Sequence, residues 1–188
     1  MKRSTNRTLT TDNGSLPRPA DLRDMIVAKQ AGKAVDPEAF AIAERRAVVE
    51  AVRHQAEVGL DVINDGEQGR WSYGRYIMDR LTGFGEAEYT GPQTRMGEEV
   101  EFPEYFGRQR NAATNTMRNP CIGPIGWKDF AAVQKDIENL KAATKGVRAE
   151  DVFWSSPSPG TVLRGTPNRY YPGKEAYLKG IRFAFEQR

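Results

Sequence analysis

Along the chain, long stretches with apolar residues at helical spacing are separated by short apolar runs that end in glycine, proline and acidic residues. The first short run, Leu9-Thr10-Thr11, reads as a strand; Pro17 and Pro19 stop regular pairing and leave Gly14 and Ser15 on a loop at its carboxyl end. Asp21 is placed to cap a helix over Leu22 to Ala31, which Gly32 terminates. Asp36-Pro37-Glu38 opens a longer helix, with Asp36 as N-cap and Pro37 at the first helical position. The stripe Val48, Val49, Val52 and Ala56 carries it to Val58, and Gly59 ends it. Strand, loop, helix and strand in that order predict a βαβ unit and hence a parallel sheet.

That helix hands over to Gly59-Leu60-Asp61-Val62-Ile63-Asn64-Asp65-Gly66-Glu67-Gln68-Gly69-Arg70, a short apolar strand ending in acids and glycines. The carboxyl ends of parallel strands face the reaction centre in α/β proteins, which makes Glu67, set between glycines, the first site candidate. Asp65 and Glu67 would point the same way on an extended backbone and diverge on a tight turn. The alternative is a solvated acidic turn in which Gly66 and Gly69 serve only to supply positive φ.

Trp71 to Leu81 reads as a short aromatic helix closed by Thr82-Gly83-Phe84-Gly85. Its rings suit either a core or subunit interface or a ligand platform. From Glu86 to Gly126 the period weakens under repeated Gly and Pro, which predicts an irregular excursion with hairpin strands. One lies near Arg118 to Ile125, and the acidic stretch Gly97 to Glu101 reads as a solvated hairpin. Lys128 to Thr144 returns to helical spacing through Phe130, Val133, Ile137 and Leu140. Val152-Phe153-Trp154 is a brief strand, followed by a polar loop from Ser155 to Thr161. Gly173-Lys174-Glu175 opens a final helix that is still running at Arg188.

Composition narrows the function classes. The 188 residues carry 28 basic and 25 acidic side chains, a net charge of +3 with no single-sign block, so neither a nucleic-acid surface nor a disordered tail is indicated. No long uncharged apolar run and no signal-peptide core follow the basic start, which points to a cytoplasmic protein with no membrane partner. The single cysteine, Cys121, and single histidine, His54, exclude a disulfide within the chain and a four-ligand Cys/His zinc site. His54 falls at the edge of its helix's apolar stripe, as a boundary histidine or, alternatively, a catalytic one.

Taken in order, the loops resemble those of the catalytic barrel of cobalamin-independent (vitamin-B12-independent) methionine synthases, and more narrowly its short single-barrel bacterial relatives. Thr10-Thr11-Asp12-Asn13-Gly14-Ser15-Leu16-Pro17-Arg18-Pro19 resembles the family's opening Thr-Thr-x-x-Gly-Ser-Leu/Phe-Pro segment, and Gly59 to Glu67 its Gly-Leu/Ile-Asp-x-x-x-x-Gly-Glu segment. Cys121-Ile122-Gly123-Pro124-Ile125, Ser156-Pro157-Ser158-Pro159-Gly160-Thr161 and the segment Tyr170 to Leu178 are similar to the short relatives. The resemblance runs over nearly the whole chain.

The resemblance implies an α/β fold, a partial (β/α)8 TIM barrel. Residues 1–188 would form the amino-terminal half, about three βα units with an excursion over 86–126. It implies methyl transfer from a methyltetrahydrofolate to homocysteine, bound as thiolate by zinc and without cobalamin. Ser15 and Glu67, with Gly14 and Asp65 beside them, would hold the amino-acid end of homocysteine; Ser158 and Gly160 would lie on the folate side. Asp12 and Asn13 stand where short relatives carry His and Val. The family's zinc ligands (a His-x-Cys pair, a Glu and a later Cys) are absent from this chain, which reads as a truncated or incompletely annotated gene product. Alternatives are another zinc-dependent thiol alkyltransferase, such as epoxide opening by coenzyme M, and a non-catalytic half-barrel binding module. An open half barrel would require a second half or self-association to cover its strand edges.

Overall fold

The computed structural model describes residues 2–70, 72–85, 100–105 and 119–186. Its elements run α1 (Ala20–Gln30), α2 (Pro37–Glu57), β1 (Val62–Ile63), α3 (Tyr73–Arg80), α4 (Ala131–Ala143), β2 (Asp151–Val152), α5 (Pro159–Gly165) and α6 (Lys174–Glu186). They fall into two compact units, Met1–Arg80 with Lys128–Pro157 and Leu81–Trp127 with Ser158–Arg188.

In the first unit, β1 pairs in parallel with β2 in the register Val62 to Asp151 and Ile63 to Val152, and Thr11 forms a parallel bridge to Val62. Three chain segments thus lie side by side in one direction, as the βαβ order requires. The strands are shorter than the apolar runs suggested, and the described chain is predominantly helical. Side chains take over where the ladder stops. The Gln55 amide donates to the Asn64 carbonyl at 2.8 Å and accepts from the Asn64 N–H at 3.1 Å, joining α2 to the end of β1 as a backbone pair would. Both partners are buried, so this pairing satisfies groups that would otherwise be orphaned.

Helix α2 forms where its signals place it: the Asp36 side chain accepts from the Glu38 N–H at 3.0 Å, and Pro37 occupies the first turn. Its apolar residues divide between two cores. Ala43 and Ala47 pack with Leu22 and Ile26 of α1, while Val48 and Val52 pack with Ile63, Leu140 and Ala143. Helix α1 departs from expectation. Pro19 is its N-cap, without a side-chain cap, and Asp21 lies in the first turn and pairs with Arg46 of α2. A proline supplies the fixed φ that starts a helix, leaving Asp21 free for an exposed ion pair of small energetic weight.

In the second unit, α5 and α6 pack together around Val162, Tyr177, Ile181 and Ala184. Cys121 bridges antiparallel to Phe84 and parallel to Asn168. The Ser155–Thr161 stretch, expected to be loop, becomes helical from Pro159, because Ser158 caps it by accepting from the Thr161 N–H at 3.2 Å. Of the proposed acidic hairpin only Val100 and Glu101 are described, and they are helical, while residues 97–99 lie outside the described residues. Of the strand expected near Arg118 to Ile125 only Arg118 lies outside them; residues 119–125 form no continuous strand and pair through the single bridges of Cys121 and the Ile122 N–H on the Gly83 carbonyl.

Ile63 is fully buried where α2, α4 and β1 meet. Ile63→Ala should therefore lower unfolding stability by about 2–5 kcal/mol, read from urea denaturation midpoints, whereas Ile42→Ala at a half-exposed position should stay within about 0.5 kcal/mol.

Candidate functional site

The carboxyl ends of the parallel segments carry Ser15, Glu67 and Ser155, all within the first unit. Between them β1 ends in a tight turn. The Gln68 N–H reaches the Asp65 carbonyl at 3.4 Å, and the two residues between have positive φ, +60° at Gly66 and +54° at Glu67. That is the φ signature of a type I′ turn. Gly66 meets it without strain. Glu67 is the one described non-glycine residue with positive φ and adopts it at a cost of about 1 kcal/mol, which surrounding contacts must offset. Gly69 is not needed for positive φ; it makes room, since a Cβ there would lie 1.8 Å from the Glu44 carboxylate.

The turn resolves the direction of the two acids. Asp65 accepts from the Glu67 N–H at 3.1 Å, from Arg70 at 2.6 Å and from the Trp154 indole at 2.9 Å. Glu67, 5% exposed, accepts from the Ser15 hydroxyl at 2.7 Å on one oxygen and from the Ser155 hydroxyl at 3.0 Å on the other. Asp65 is thus committed to holding the turn, while Glu67 faces two hydroxyls and lies 3.8 Å from the Arg70 guanidinium. A carboxylate has about four lone-pair sites, so Glu67 can accept further hydrogen bonds. Ser15 is exposed, which places it on the solvent side of the pair. Gly14 precedes it with φ +115°, and nothing lies within 4 Å of where its Cβ would be.

Arg70 binds the segments together. It is 4% exposed, donates to the Ser155 carbonyl at 2.7 Å and hydroxyl at 3.0 Å, and lies over the rings of Trp154 at 4.4 Å and Tyr76 at 5.1 Å. Tyr76, at 5.3 Å edge-on to Trp154, gives its hydroxyl to Asp136. Burial and then Asp136 push the Tyr76 phenol well above its ordinary range, so it remains a donor. Tyr76 of α3 therefore packs against a buried cation; Trp71 and the side chain of Tyr73 lie outside what is described.

Arg18 donates to the backbone carbonyls of Glu67 at 2.8 Å, Gln68 at 3.2 Å and Arg70. Its partial burial lowers its proton affinity, and the nearby Glu67 raises it. Asp12 accepts from the Asn64 side chain through its carbonyl at 3.0 Å, and one of its carboxylate oxygens is buried without a partner.

Among the expected site residues, Gly14, Ser15, Asp65 and Glu67 share the first unit, and Ser15, Asp65 and Glu67 join one hydrogen-bond network. Ser158 and Gly160 belong to the second unit, where Ser158 caps α5. Ser155, Arg18 and Arg70 were missed. Ser155 could have been found from its place just after a strand; nothing in linear spacing announces the other two.

The described residues thus form an α/β protein with a polar site at the carboxyl ends of parallel segments. A family model described as "Cobalamin-independent synthase, Catalytic domain" matches residues 8–118, and the chain belongs to that family. It is 44% identical over 162 residues to a methionine synthase of Sulfolobus acidocaldarius, covering 86% of this chain and 41% of that protein. With a methionine synthase of Pyrococcus furiosus it shares 27% over 170 residues, covering 89% and 43%. The chain spans less than half the length of these relatives. A B12-independent methionine synthase from a Shewanella species, solved in complex with selenomethionine, is similar in fold at TM-score 0.61 and 18% identity, with 93% of this chain and 48% of that one covered. A Listeria monocytogenes protein assigned as a vitamin-B12-independent methionine synthase aligns at TM-score 0.62 and 19% identity, covering 95% and 47%.

The donors among the described residues do not fit a zinc ion. His54 is exposed on α2, the Cys121 thiol is buried and donates to the Gly123 carbonyl, and burial raises its pKa, which disfavours thiolate. Among the described residues no group of three His, Cys, Asp or Glu could hold a metal. Metal analysis of the purified chain is accordingly expected to find well under one tightly bound zinc per molecule.

Glu44, behind the turn, supplies a pH test. Burial and then Asp136 raise its carboxyl above the ordinary value, with Lys135 at 3.6 Å opposing. The folded chain holds this proton more tightly than the unfolded one, so the associated stability is full below the ordinary glutamate pKa of about 4.3 and is lost as pH rises through the higher folded value. Glu44→Gln removes that titration. Urea midpoints measured from about pH 4 to about pH 7 should show the wild type losing ground to the variant as pH rises.

Proposed function

We propose that this chain carries the amino-acid-anchoring side of a homocysteine methyltransferase of the cobalamin-independent methionine synthase type. In this reading Glu67 holds the substrate ammonium and Ser15, beside Gly14, meets its carboxylate. The observation that carries it is the pairing of Glu67 with the Ser15 and Ser155 hydroxyls at the carboxyl ends of three parallel segments. Charge balance supports it. Arg18 and Arg70 offset Asp65 and Glu67, so a zwitterionic amino acid enters without leaving an uncompensated charge, whereas a simple cation or anion would. The selenomethionine found in the Shewanella relative is a ligand of that chemistry.

The partial TIM barrel belongs to the same proposal. Among the described residues β2 pairs on one side only, and relatives more than twice this length have further chain available to cover the other. In that proposal Ser158 and Gly160 serve the folate side, and the zinc that activates the thiol takes its ligands from residues other than those described. Among the described residues no helix is long and apolar enough to cross a membrane, in keeping with small-molecule substrates handled in water.

Isothermal titration of the chain with L-homocysteine and L-methionine tests the anchoring role. Glu67→Gln keeps the shape and removes the charge, and should weaken binding by about 10- to 150-fold, equivalent to about 1.5–3 kcal/mol. Ser15→Ala should cost less, about 1 kcal/mol, because a neutral hydroxyl donor is lost. Equal affinity of Glu67→Gln and wild type, or no binding by the wild type, would overturn the proposal.

A further inference from the structure

We propose that Arg18 is a positioning residue for this site: its guanidinium holds the Asp65–Arg70 turn in the conformation that aims Glu67 at Ser15 and Ser155. The inference rests on the anchoring reading of Glu67 for its functional meaning, but the restraint itself is a separate physical claim. Glu67 occupies a left-handed backbone conformation that a glutamate adopts only under external restraint. The turn's own bond is weak, with 3.4 Å between the Gln68 N–H and the Asp65 carbonyl. Asp65 holds the turn from within through the Glu67 N–H and Arg70, and Arg18 adds a restraint from the neighbouring loop. One nitrogen donates to the carbonyls of Glu67, at 2.8 Å, and Arg70, and the Nε–H donates to Gln68 at 3.2 Å. The carbonyls of Glu67, Gln68 and Arg70 come from four consecutive residues of the turn, and a planar fork can serve all three at once.

The supporting shell makes Arg18 a fixed post. Pro17 and Pro19 flank it with restricted φ, and Pro19 is the N-cap of α1, so the Arg18 backbone is tied to the start of a packed helix. Next to it, Gly66 accepts the Leu16 N–H at 3.0 Å, and the Gln68 amide donates to Leu16 at 3.2 Å. The loop carrying Ser15 and the turn carrying Glu67 are therefore joined through backbone carbonyls in both directions. The distance between the two polar groups is set by Arg18 and Gln68, and not only by their own hydrogen bond. None of this machinery touches the substrate in the anchoring reading, which is why Arg18 positions and does not bind.

Backbone amide exchange and ligand titration on the full chain test this together. In Arg18→Ala the amides of Gln68 and Arg70 should exchange about tenfold faster or more, while those of α2 and α4 keep their rates. The dissociation constant for L-methionine should rise about tenfold or more in the same variant. Arg18→Lys keeps the charge but cannot fork across successive carbonyls, and should behave nearly as Arg18→Ala. Guanidinium ion added at low concentration should restore both exchange and binding in Arg18→Ala, a response that general destabilisation would not give. Wild-type exchange rates at Gln68 and Arg70 in both variants would overturn the inference, as would loosening spread evenly over the chain without guanidinium rescue. If the wild type binds no amino acid, the anchoring reading fails, and the exchange comparison still decides whether Arg18 restrains the turn.

Discussion

The buried ion pair between Asp65 and Arg70 is the constraint on which the site depends. Taking both charges out of water is costly, and the cost is met only because each is also hydrogen-bonded elsewhere: Asp65 by Trp154 and the Glu67 N–H, Arg70 by Ser155. Every one of those extra partners lies on the site turn or on the segment leaving β2. Satisfying the pair therefore fixes the turn against the neighbouring strand end, and Glu67 is delivered to Ser155 as a by-product. Removing Arg70 would leave the Asp65 carboxylate buried without a cation, and removing Asp65 would leave Arg70 with the longer 3.8 Å approach to Glu67 as its remaining ion pair.

Short strands leave much of this work to side chains. A longer parallel ladder would fix strand ends by backbone pairing alone, whereas here two-residue strands are extended by amide side chains: Gln55 on the Asn64 backbone, and the Asn64 side chain on the Asp12 carbonyl. Those amides read as ordinary polar residues in a linear pattern. Their role appears only when the helix and the strand end are brought face to face.

Legibility followed the range of the signal. The cap at Asp36, the proline after it and the terminating Gly59 act within a few residues, and α2 lies where they indicate. Glu67 was visible because it stands between glycines after an apolar run, a local cue to a strand end. The start of α1 was misread because Asp21 and Pro19 both qualify as boundary residues, and only the tertiary pairing of Asp21 with Arg46 decides between them. Arg18 and Arg70 were missed for a similar reason: an arginine between prolines or at the end of an acidic run looks solvated until the carbonyls and rings that receive it are in place. The reading of Ser155 to Thr161 as loop failed because Ser158 caps a helix whose first residues are proline and glycine, a weak helical signal.

The opposite end of β1 is tied in a different way. There Arg7 clasps Asp61 at 2.5–2.7 Å and approaches Glu150, while Lys2 bonds Glu150, so the leading segment is strapped across the amino ends of β1 and β2. The lysine, the arginine and Glu150 are well exposed. Exposed pairs weaken as the ionic atmosphere thickens, and at about 1 M salt the Debye length falls to about 3 Å. The enclosed pair at the other end is shielded from mobile ions by the rings around it. One short strand thus has an ion-sensitive end and an ion-insensitive end, so a concentrated electrolyte should release the leader while the acid turn keeps its shape.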